Sequence, residues 1–354
     1  MTMIKNEVFS IGVMSGTSLD GIDLVYVKFD ESNYQNFIII ESQTVSYSKE
    51  WKQVLKYAID FSEEELNKLD DTYGKYLGEI ISDFIVNHKI RQIDFIASHG
   101  HTVLHQPEKG ITLQIGDGKE IAKITNQKVV CDFRTQDVKL GGQGAPLVPI
   151  GDELLFSEYD FCLNLGGFSN ISFKKDDKRI AFDICPVNIV LNYYANKLDL
   201  DYDESGKIAS NGKINHQLLE KLNSLEFYQK SYPKSLGLEW VQRNVFPLID
   251  GLEKNIPSIL RTFVEHIAIQ ISKVIYKNNS VLVTGGGVFN TFLINRIQFY
   301  SKNKITLPTD ELIDFKEALL FSFLGLLRIS NQINCLKSVT GASKNHSSGV
   351  IFYP

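Results

Sequence analysis

The stretch richest in reactive side chains is Ser15-Gly16-Thr17-Ser18-Leu19-Asp20-Gly21-Ile22-Asp23. Glycines let the backbone turn sharply and bring N–H groups close to a ligand. Several N–H groups and three hydroxyls in one tight turn make a concave donor surface suited to phosphate. Asp20 and Asp23 share the charge of phosphate, so they would act on it through Mg2+, which binds one or two carboxylates together with phosphate oxygens. An ordinary β-turn rich in Ser and Gly has the same composition, and this segment alone leaves both readings open. Two further glycine turns, Gly166-Gly167 and Gly285-Gly286-Gly287, each follow an apolar run, and Asn290 stands just past the second. A glycine turn that opens a helix is a natural anion or nucleotide site. Neither the dinucleotide fingerprint nor the P-loop spacing occurs.

Asp183 closes the apolar stretch Arg179–Phe182 and is followed by Pro186 and Asn188. A carboxylate at the end of a strand points to the crevice where open α/β sheets bind ligands. It could act there as a general base, or cap the helix that begins near Pro186. His99, His101 and His105 have metal-like spacing, with His99 and His101 on one side of an extended strand. No His-Glu-x-x-His and no neighbouring cysteine pair supports a zinc site, so polar contacts to a ligand, or satisfied histidines near the cleft, are the better readings. Arg134 and Asp137 precede a Gly/Pro-rich loop, where an Arg could neutralise a phosphoryl group in transfer or simply bridge two lobes.

These residues need elements to hold them. Val8–Met14 and Ile22–Phe29 read as a β-hairpin around the hydroxyl-rich turn. Trp51–Asn87 carries helical periodicity with a Leu66, Leu77, Ile81 and Phe84 face. Ile93–Ser98 and Lys128–Phe133 read as strands. Leu140–Pro149 is the candidate hinge. Beyond it the pattern of strand, small-residue turn and strand returns in Phe161–Leu165, Ser169–Phe173 and Arg179–Asp183, an internal echo at about half the chain length. A helix over Ile256–Tyr276, a strand at Val281–Val283 and a helix over Asn290–Phe299 follow. The expected division is a first lobe over 1–133 and a second over 134–337, with about 338–354 returning to the first.

Length and charge bound the function class. The 354 residues suit two domains at roughly 100–200 residues each. A net charge of -5 argues against binding to nucleic-acid backbones. No apolar run approaches the roughly 18–20 residues that span a bilayer, and the polar N-terminus does not read as a signal peptide. Cys131, Cys162, Cys185 and Cys335 are scattered, which suits buried thiols of a cytoplasmic protein rather than a disulfide framework.

Taken together, the motifs resemble the anhydro-N-acetylmuramic acid kinases, within the superfamily of sugar kinases, actin and the large heat-shock chaperones. The resemblance runs over nearly the whole chain. It lies in Gly12–Asp23; in Ser98-His99-Gly100-His101-Thr102 with His105; in Thr112-Leu113-Gln114-Ile115-Gly116-Asp117; and in Asp132-Phe133-Arg134 with Asp137. It continues in Gly141-Gly142-Gln143-Gly144-Ala145-Pro146-Leu147-Val148-Pro149, in Asn164–Gly167 with Asn170, and in Thr284–Gly287 with Asn290. Tyr202-Asp203 with Gly206 and Ala209, and Pro233-Lys234-Ser235, also match. The resemblance implies a two-lobed actin-like α/β fold, each lobe a mixed sheet flanked by helices, with ligands in the cleft between lobes. It implies opening of a 1,6-anhydro ring and phosphorylation at O6 with ATP and Mg2+. Asp183 would be the base that activates water, assisted by Arg134. Ser15, Gly16, Thr17, Ser18, Asp20, Gly21, Asp23, Gly166, Gly167, Gly285, Gly286, Gly287 and Asn290 would hold ATP, with Asp20 and Asp23 serving the metal. His99, His101, Gln114, Gly142, Gln143 and Asn188 would contact the sugar. A homodimer is a further implication.

The sequence departs from the family pattern at three places. The usual Thr-Gly-Pro-Gly-Asn after the base reads Ile184-Cys185-Pro186-Val187-Asn188. Position 101 is His instead of Gln, and Gly237-Leu238-Glu239 lacks the usual Arg. These changes keep two alternatives in view: a kinase of a related amino sugar, and a nucleotide-binding protein of this fold without turnover.

Overall fold

The computed structural model describes residues 7–16, 19–275 and 278–354. The chain divides into two compact units, Met1–Ser157 with Phe315–Pro354, and Glu158–Asp314.

Unit 1 is built on a six-stranded sheet. Its strands are β1 (Glu7–Ser15), β2 (Gly21–Asp30), β3 (Ile38–Ser46), β4 (Phe95–Ser98), β7 (Val129–Cys131) and β13 (Val350–Phe352), in the order β13-β7-β4-β1-β2-β3. β1, β2 and β3 form an antiparallel meander, β4 adds parallel to β1, and β7 parallel to β4. A separate two-stranded ribbon joins β5 (His101–Gln106) and β6 (Ile111–Ile115). Alternation on β1 sets two faces. Ile11 and Val13 pack with Tyr73, Leu77 and Ile81 of helix Glu63–Asn87. Ser10 and Gly12 face the opposite way, toward helix Asp310–Ile329. There Ser10 Oγ meets Ser322 Oγ at 2.7 Å, and a Cβ on Gly12 would stand 2.1 Å from the Ala318 carbonyl oxygen.

Unit 2 repeats this plan. β8 (Phe161–Leu165), β9 (Phe168–Lys175) and β10 (Lys178–Pro186) form an antiparallel meander. β11 (Ser280–Thr284) adds parallel to β8, and β12 (Lys304–Thr306) parallel to β11, giving β10-β9-β8-β11-β12. Leu163, Val281 and Val283 pack with Leu260, Phe263, Val264 and Ile267 of helix Ile256–Val274. The echo in the sequence is thus a repeated topology: three antiparallel strands, then parallel strands added beside the first.

Several boundaries differ from the sequence reading. Trp51–Asn87 holds two α-helices, Lys49–Tyr57 and Glu63–Asn87; the second opens with a capping box between Ser62 and Glu65. The strand expected over Lys128–Phe133 stops at Cys131, because Asp132 takes a left-handed φ of 56°. The division between units falls at Ser157/Glu158 and Asp314/Phe315 rather than at 133/134 and 337/338. The loop 140–149, expected as a hinge, lies inside unit 1. Hydrogen bonds hold it there: Gln143 N–H donates to the Thr340 carbonyl at 2.8 Å and Ser343 N–H to the Leu140 carbonyl at 3.0 Å.

The close approach of β1 to helix Asp310–Ile329 gives a test of this packing. Gly12→Ala is expected to lower the stability of unit 1 by about 1–3 kcal/mol, because a methyl group would press on backbone rather than on a movable side chain. Denaturant unfolding would read this as a lower midpoint with an unchanged slope.

Candidate active site

In unit 1 the sharp exit from β4 does most of the positioning. Gly100 adopts φ 73°, and a Cβ there would meet the Ile115 carbonyl oxygen at 2.5 Å. This kink places His99 after β4 and His101 at the start of β5, so the two do not share a strand face. His99 is buried, and its Nε2 accepts from Arg134 Nε–H at 3.0 Å and Nη2–H at 2.9 Å. An accepting Nε2 fixes the neutral tautomer with the proton on Nδ1. Burial, reinforced by the Arg134 charge, holds the His99 pKa well below the usual histidine range. Arg134 Nη1–H donates to the Gly144 carbonyl at 2.6 Å. Burial lowers the guanidinium to about 10, countered by Glu317, Cys335 and Asp137, which keeps it charged at neutral pH.

The glycine loop after Arg134 is shaped by Asp137. This fully buried carboxylate accepts from Gly144 N–H at 2.7 Å and from Thr340 Oγ1–H at 2.8 Å. A Cβ on Gly142 would stand 2.1 Å from Asp137 Oδ2. Gly142 therefore serves this close approach, while the Gln143 side chain is exposed. Gln114 lies on β6, where Nε2–H donates to Thr112 Oγ1 at 2.9 Å, and Thr112 also bonds His105 Nδ1 at 3.1 Å. His101 is buried, and burial lowers its pKa, with a backbone contact to Gly16 opposing the shift. It thus stands beside the β1–β2 turn.

In that turn Ser15 is buried, Asp20 is exposed and Asp23 is half-buried, its Oδ1 accepting from Thr44 Oγ1–H at 2.6 Å. Gly21 passes so close to Val45 that a Cβ would meet its carbonyl oxygen at 2.8 Å. Thr17 and Ser18 lie outside the described residues. Glu317, which the sequence reading missed, belongs to the same field. Desolvation raises its carboxyl pKa although its side chain keeps an exposed edge; Arg134 opposes the rise and Asp23 adds to it. Its only sequence signal is an acidic residue in an otherwise apolar helical run.

In unit 2 the sheet register aligns a row of polar residues. Asp183 on β10 pairs with Asn170 on β9, Asn170 with Asn164 on β8, and Asn164 with Thr284 on β11. Residues directly opposite across a ladder share a face, so one edge-to-edge line carries a carboxylate, two amides and a hydroxyl. Asp183 Oδ2 accepts from Leu236 N–H at 2.8 Å, and Asp183 N–H donates to the Lys234 carbonyl at 3.2 Å. Among the described residues Oδ1 has no hydrogen bond. Burial raises the Asp183 pKa above the usual carboxylate range, opposed by the Leu236 amide.

The glycine turns gather at the same end of the sheet. Gly285 adopts φ 85°, and a Cβ there would meet Asn164 Oδ1 at 2.5 Å; one on Gly287 would stand 2.9 Å from the Leu165 carbonyl oxygen. Gly166 and Gly167 lend their carbonyls to the Asn188 and Val187 amides at 3.2 and 2.8 Å. Asn188 opens helix Asn188–Asn196 with Nδ2 toward the Leu165 carbonyl at 3.4 Å, so it belongs with the glycine turns. Gly286–Phe289 forms a short 3₁₀ turn before helix Thr291–Ser301, and Asn290 Oδ1 caps that helix by accepting from Leu293 N–H at 2.9 Å. The segment after Asp183 turns inward. Ile184, Cys185 and Val187 are all buried in the unit 2 core.

A family model described as anhydro-N-acetylmuramic acid kinase matches residues 8–354. A Shewanella denitrificans protein named anhydro-N-acetylmuramic acid kinase is 35% identical over 367 residues, covering 97% of each chain. A Coxiella burnetii protein of the same name is 32% identical over 369 residues, again covering 97% of each. Among solved structures, the ligand-bound xylulose kinase from Lactobacillus acidophilus aligns at a TM-score of 0.44 and 13% identity, covering 98% of this chain and 94% of that one. Among the described residues, no helix is long and apolar enough to cross a membrane.

The Arg134 contacts predict a stability effect separate from any reaction. Arg134→Met leaves His99 Nε2 and the Gly144 carbonyl without their donors. At about 1–3 kcal/mol for each buried unsatisfied group, chemical denaturation should show a loss of roughly 2–6 kcal/mol. An unchanged midpoint would mean that both acceptors find other partners.

Proposed function

The chain belongs to the anhydro-N-acetylmuramic acid kinase family, and we propose that it uses ATP to convert 1,6-anhydro-N-acetylmuramic acid to N-acetylmuramic acid 6-phosphate. The observation that carries this reading is the Asp183 carboxylate. One oxygen is tethered by the Leu236 amide, while Oδ1 is left to take a proton. Water loses its proton to Asp183 Oδ1 and attacks the anomeric carbon. The bond from that carbon to O6 breaks, and O6 takes the γ-phosphoryl group, leaving ADP. Sugar, water and ATP thus go in, and sugar phosphate and ADP come out, with the proton on Asp183 released afterwards. A base whose pKa sits above the ordinary carboxylate value accepts that proton more readily at neutral pH.

The remaining residues fall into supporting roles. The β1–β2 turn, with Ser15, Gly16 and Gly21, offers backbone and hydroxyl donors to phosphate, as does Gly166-Gly167. Gly285–Gly287 offers a turn free of side chains against which adenosine can lie, with Asn188 beside it and Asn290 fixing the helix that follows. His99 is held by Arg134, and with Gln114 and the loop at Gly142 and Gln143 forms the sugar side. Arg134, kept cationic, stabilises charge that develops on the phosphoryl group. Asp20 and Asp23 fit Mg2+: both offer hard carboxylate oxygens, and Asp23 shares a negative field with Glu317. Mg2+ bound there would neutralise phosphate charge. The kinase reading is favoured over a binding-only protein because a tethered carboxylate with a free oxygen serves proton transfer and nothing in nucleotide binding.

Three measurements test this. Mass spectrometry of the product from Mg-ATP and the anhydro sugar should show a gain of one phosphate and one water. Asp183→Asn should cut turnover by ~10²–10⁴-fold while leaving ATP affinity within a few-fold of wild type; near-normal turnover would remove Asp183 from the base role. The acid limb of kcat/KM gives the third measurement. Asp183 works deprotonated and its pKa is raised from 3.8, so activity should rise with pH through a value above 3.8. A limb at or below 3.8 would assign the base elsewhere.

A further inference from the structure

The C-terminal segment of unit 1 carries a side-chain cluster that phosphoryl transfer does not use. Asp137, Cys335 and His346 are all buried, and one carboxylate oxygen, Sγ and one ring nitrogen lie within 4.8 Å of one another. Cys335 Sγ stands 3.0 Å from Asp137 Oδ1, and His346 Nε2 stands 3.5 Å from the same oxygen. In a tetrahedral zinc site with bonds of about 2.0–2.3 Å, neighbouring donor atoms are about 3.3–3.6 Å apart. The two measured edges are therefore close to those of a coordination tetrahedron.

The backbone holds this arrangement. Cys335 and His346 form an antiparallel bridge, each N–H donating to the other's carbonyl, at 3.1 and 3.2 Å. Directly opposed residues send their side chains to the same face. Asp137 approaches from helix Thr135–Lys139, and the Gly144 amide and Thr340 hydroxyl fix its carboxylate.

His346 supplies the independent sign of a missing cation. Its Nδ1 stands 3.2 Å from the Lys344 carbonyl and must donate to it, so Nε2 carries a lone pair in the neutral ring. That Nε2 is buried and has no hydrogen bond among the described residues, in a residue only 5% exposed. The one acidic hydrogen nearby, on Cys335, points to Asp137 instead. Protonating Nε2 would not repair this, because 3.5 Å to the nearest carboxylate oxygen is beyond a normal N–H···O bond. A ring nitrogen oriented by a hydrogen bond from its partner nitrogen to a carbonyl is the usual support of a metal-bound histidine.

We propose that Asp137, Cys335 and His346 bind a zinc-class divalent metal, which clips the C-terminal segment to the loop that begins at Arg134. Thiolate and imidazole select zinc, cobalt or cadmium over Mg2+ and Ca2+. On binding, the Cys335 S–H proton leaves to solvent and sulfur bonds the metal, with no change of oxidation state. Thiolate and carboxylate then cancel the two charges of the ion, so the buried site is neutral. A water completes the coordination.

The test uses the full-length protein, stripped with a chelator and titrated with Co2+ alone. One equivalent should bring up tetrahedral d–d bands and a thiolate-to-cobalt charge-transfer band, both erased by one equivalent of Zn2+, with one proton released per metal. Cys335→Ser should lose the charge-transfer band. His346→Gln, which keeps the backbone bridge, should weaken Co2+ binding at least tenfold and serves if the first variant does not fold. Absence of the bands in folded wild-type protein overturns the proposal, as does a charge-transfer band that survives in folded Cys335→Ser.

Discussion

The fully buried carboxylate of Asp137 is the fixed point of unit 1. A buried charge without partners would be untenable, so the chain around it is arranged to supply them. Gly144 turns its amide inward, Thr340 its hydroxyl and Cys335 its thiol. Gly142 has no side chain because one would occupy the carboxylate's own volume. Once this loop is closed, the Gly144 carbonyl is in place for Arg134, and Arg134 in turn determines which nitrogen of His99 is protonated. A sequence of short contacts thus runs from Asp137 through Gly144 and Arg134 to His99. It also explains why a loop rich in Gly and Pro is rigidly held rather than a hinge.

Unit 2 reaches the same end by sheet register. A slip of one residue between β9 and β10 would turn Asp183 away from Asn170 and toward the other face. The register irregularity between Asp183 and Cys185 lets the strand keep Asp183 in the polar row while sending Cys185 into the core. The Leu236 amide then fixes the carboxylate from outside the sheet. Orientation of the Asp183 carboxylate therefore rests on a bulge and one long-range backbone contact.

Much of this was legible in the sequence, and the limits have physical causes. The hairpins around Ser15–Gly21 and Gly166-Gly167 announce themselves by alternation and by small turn residues, which are local properties. So does the repetition of the plan in the second half. The bounds of the compact units were not legible, because loop 140–149 and most of helix Asp310–Ile329 join unit 1 through contacts such as Gln143 to Thr340 and Ala318 to Gly12, far apart in the chain. The grouping of Asp137 with Cys335 and His346 has the same character. Glu317 looked like one acid in a helix, and only proximity to Asp23 and Arg134 gives it a part in the site. His99 and His101 seemed to share a strand face until the left-handed Gly100 separated them.

The departures after Asp183 read differently once their burial is known. In place of the Thr and two glycines of the pattern the chain resembles, it has Ile184, Cys185 and Val187, all of them in the unit 2 core. Apolar side chains in that position add packing area. Glycines there would instead have added backbone freedom. Cys185 also exchanges contacts with Ser169, whose Oγ accepts from the Cys185 amide and donates to the Cys185 carbonyl. The segment is therefore stiffened from below, on the side away from the polar row. Asp183 and Asn188, which bracket it, keep their own backbone partners at Leu236 and Gly166. The altered residues thus belong to the packing of unit 2, and the backbone contacts of Asp183 and Asn188 are kept on either side of them.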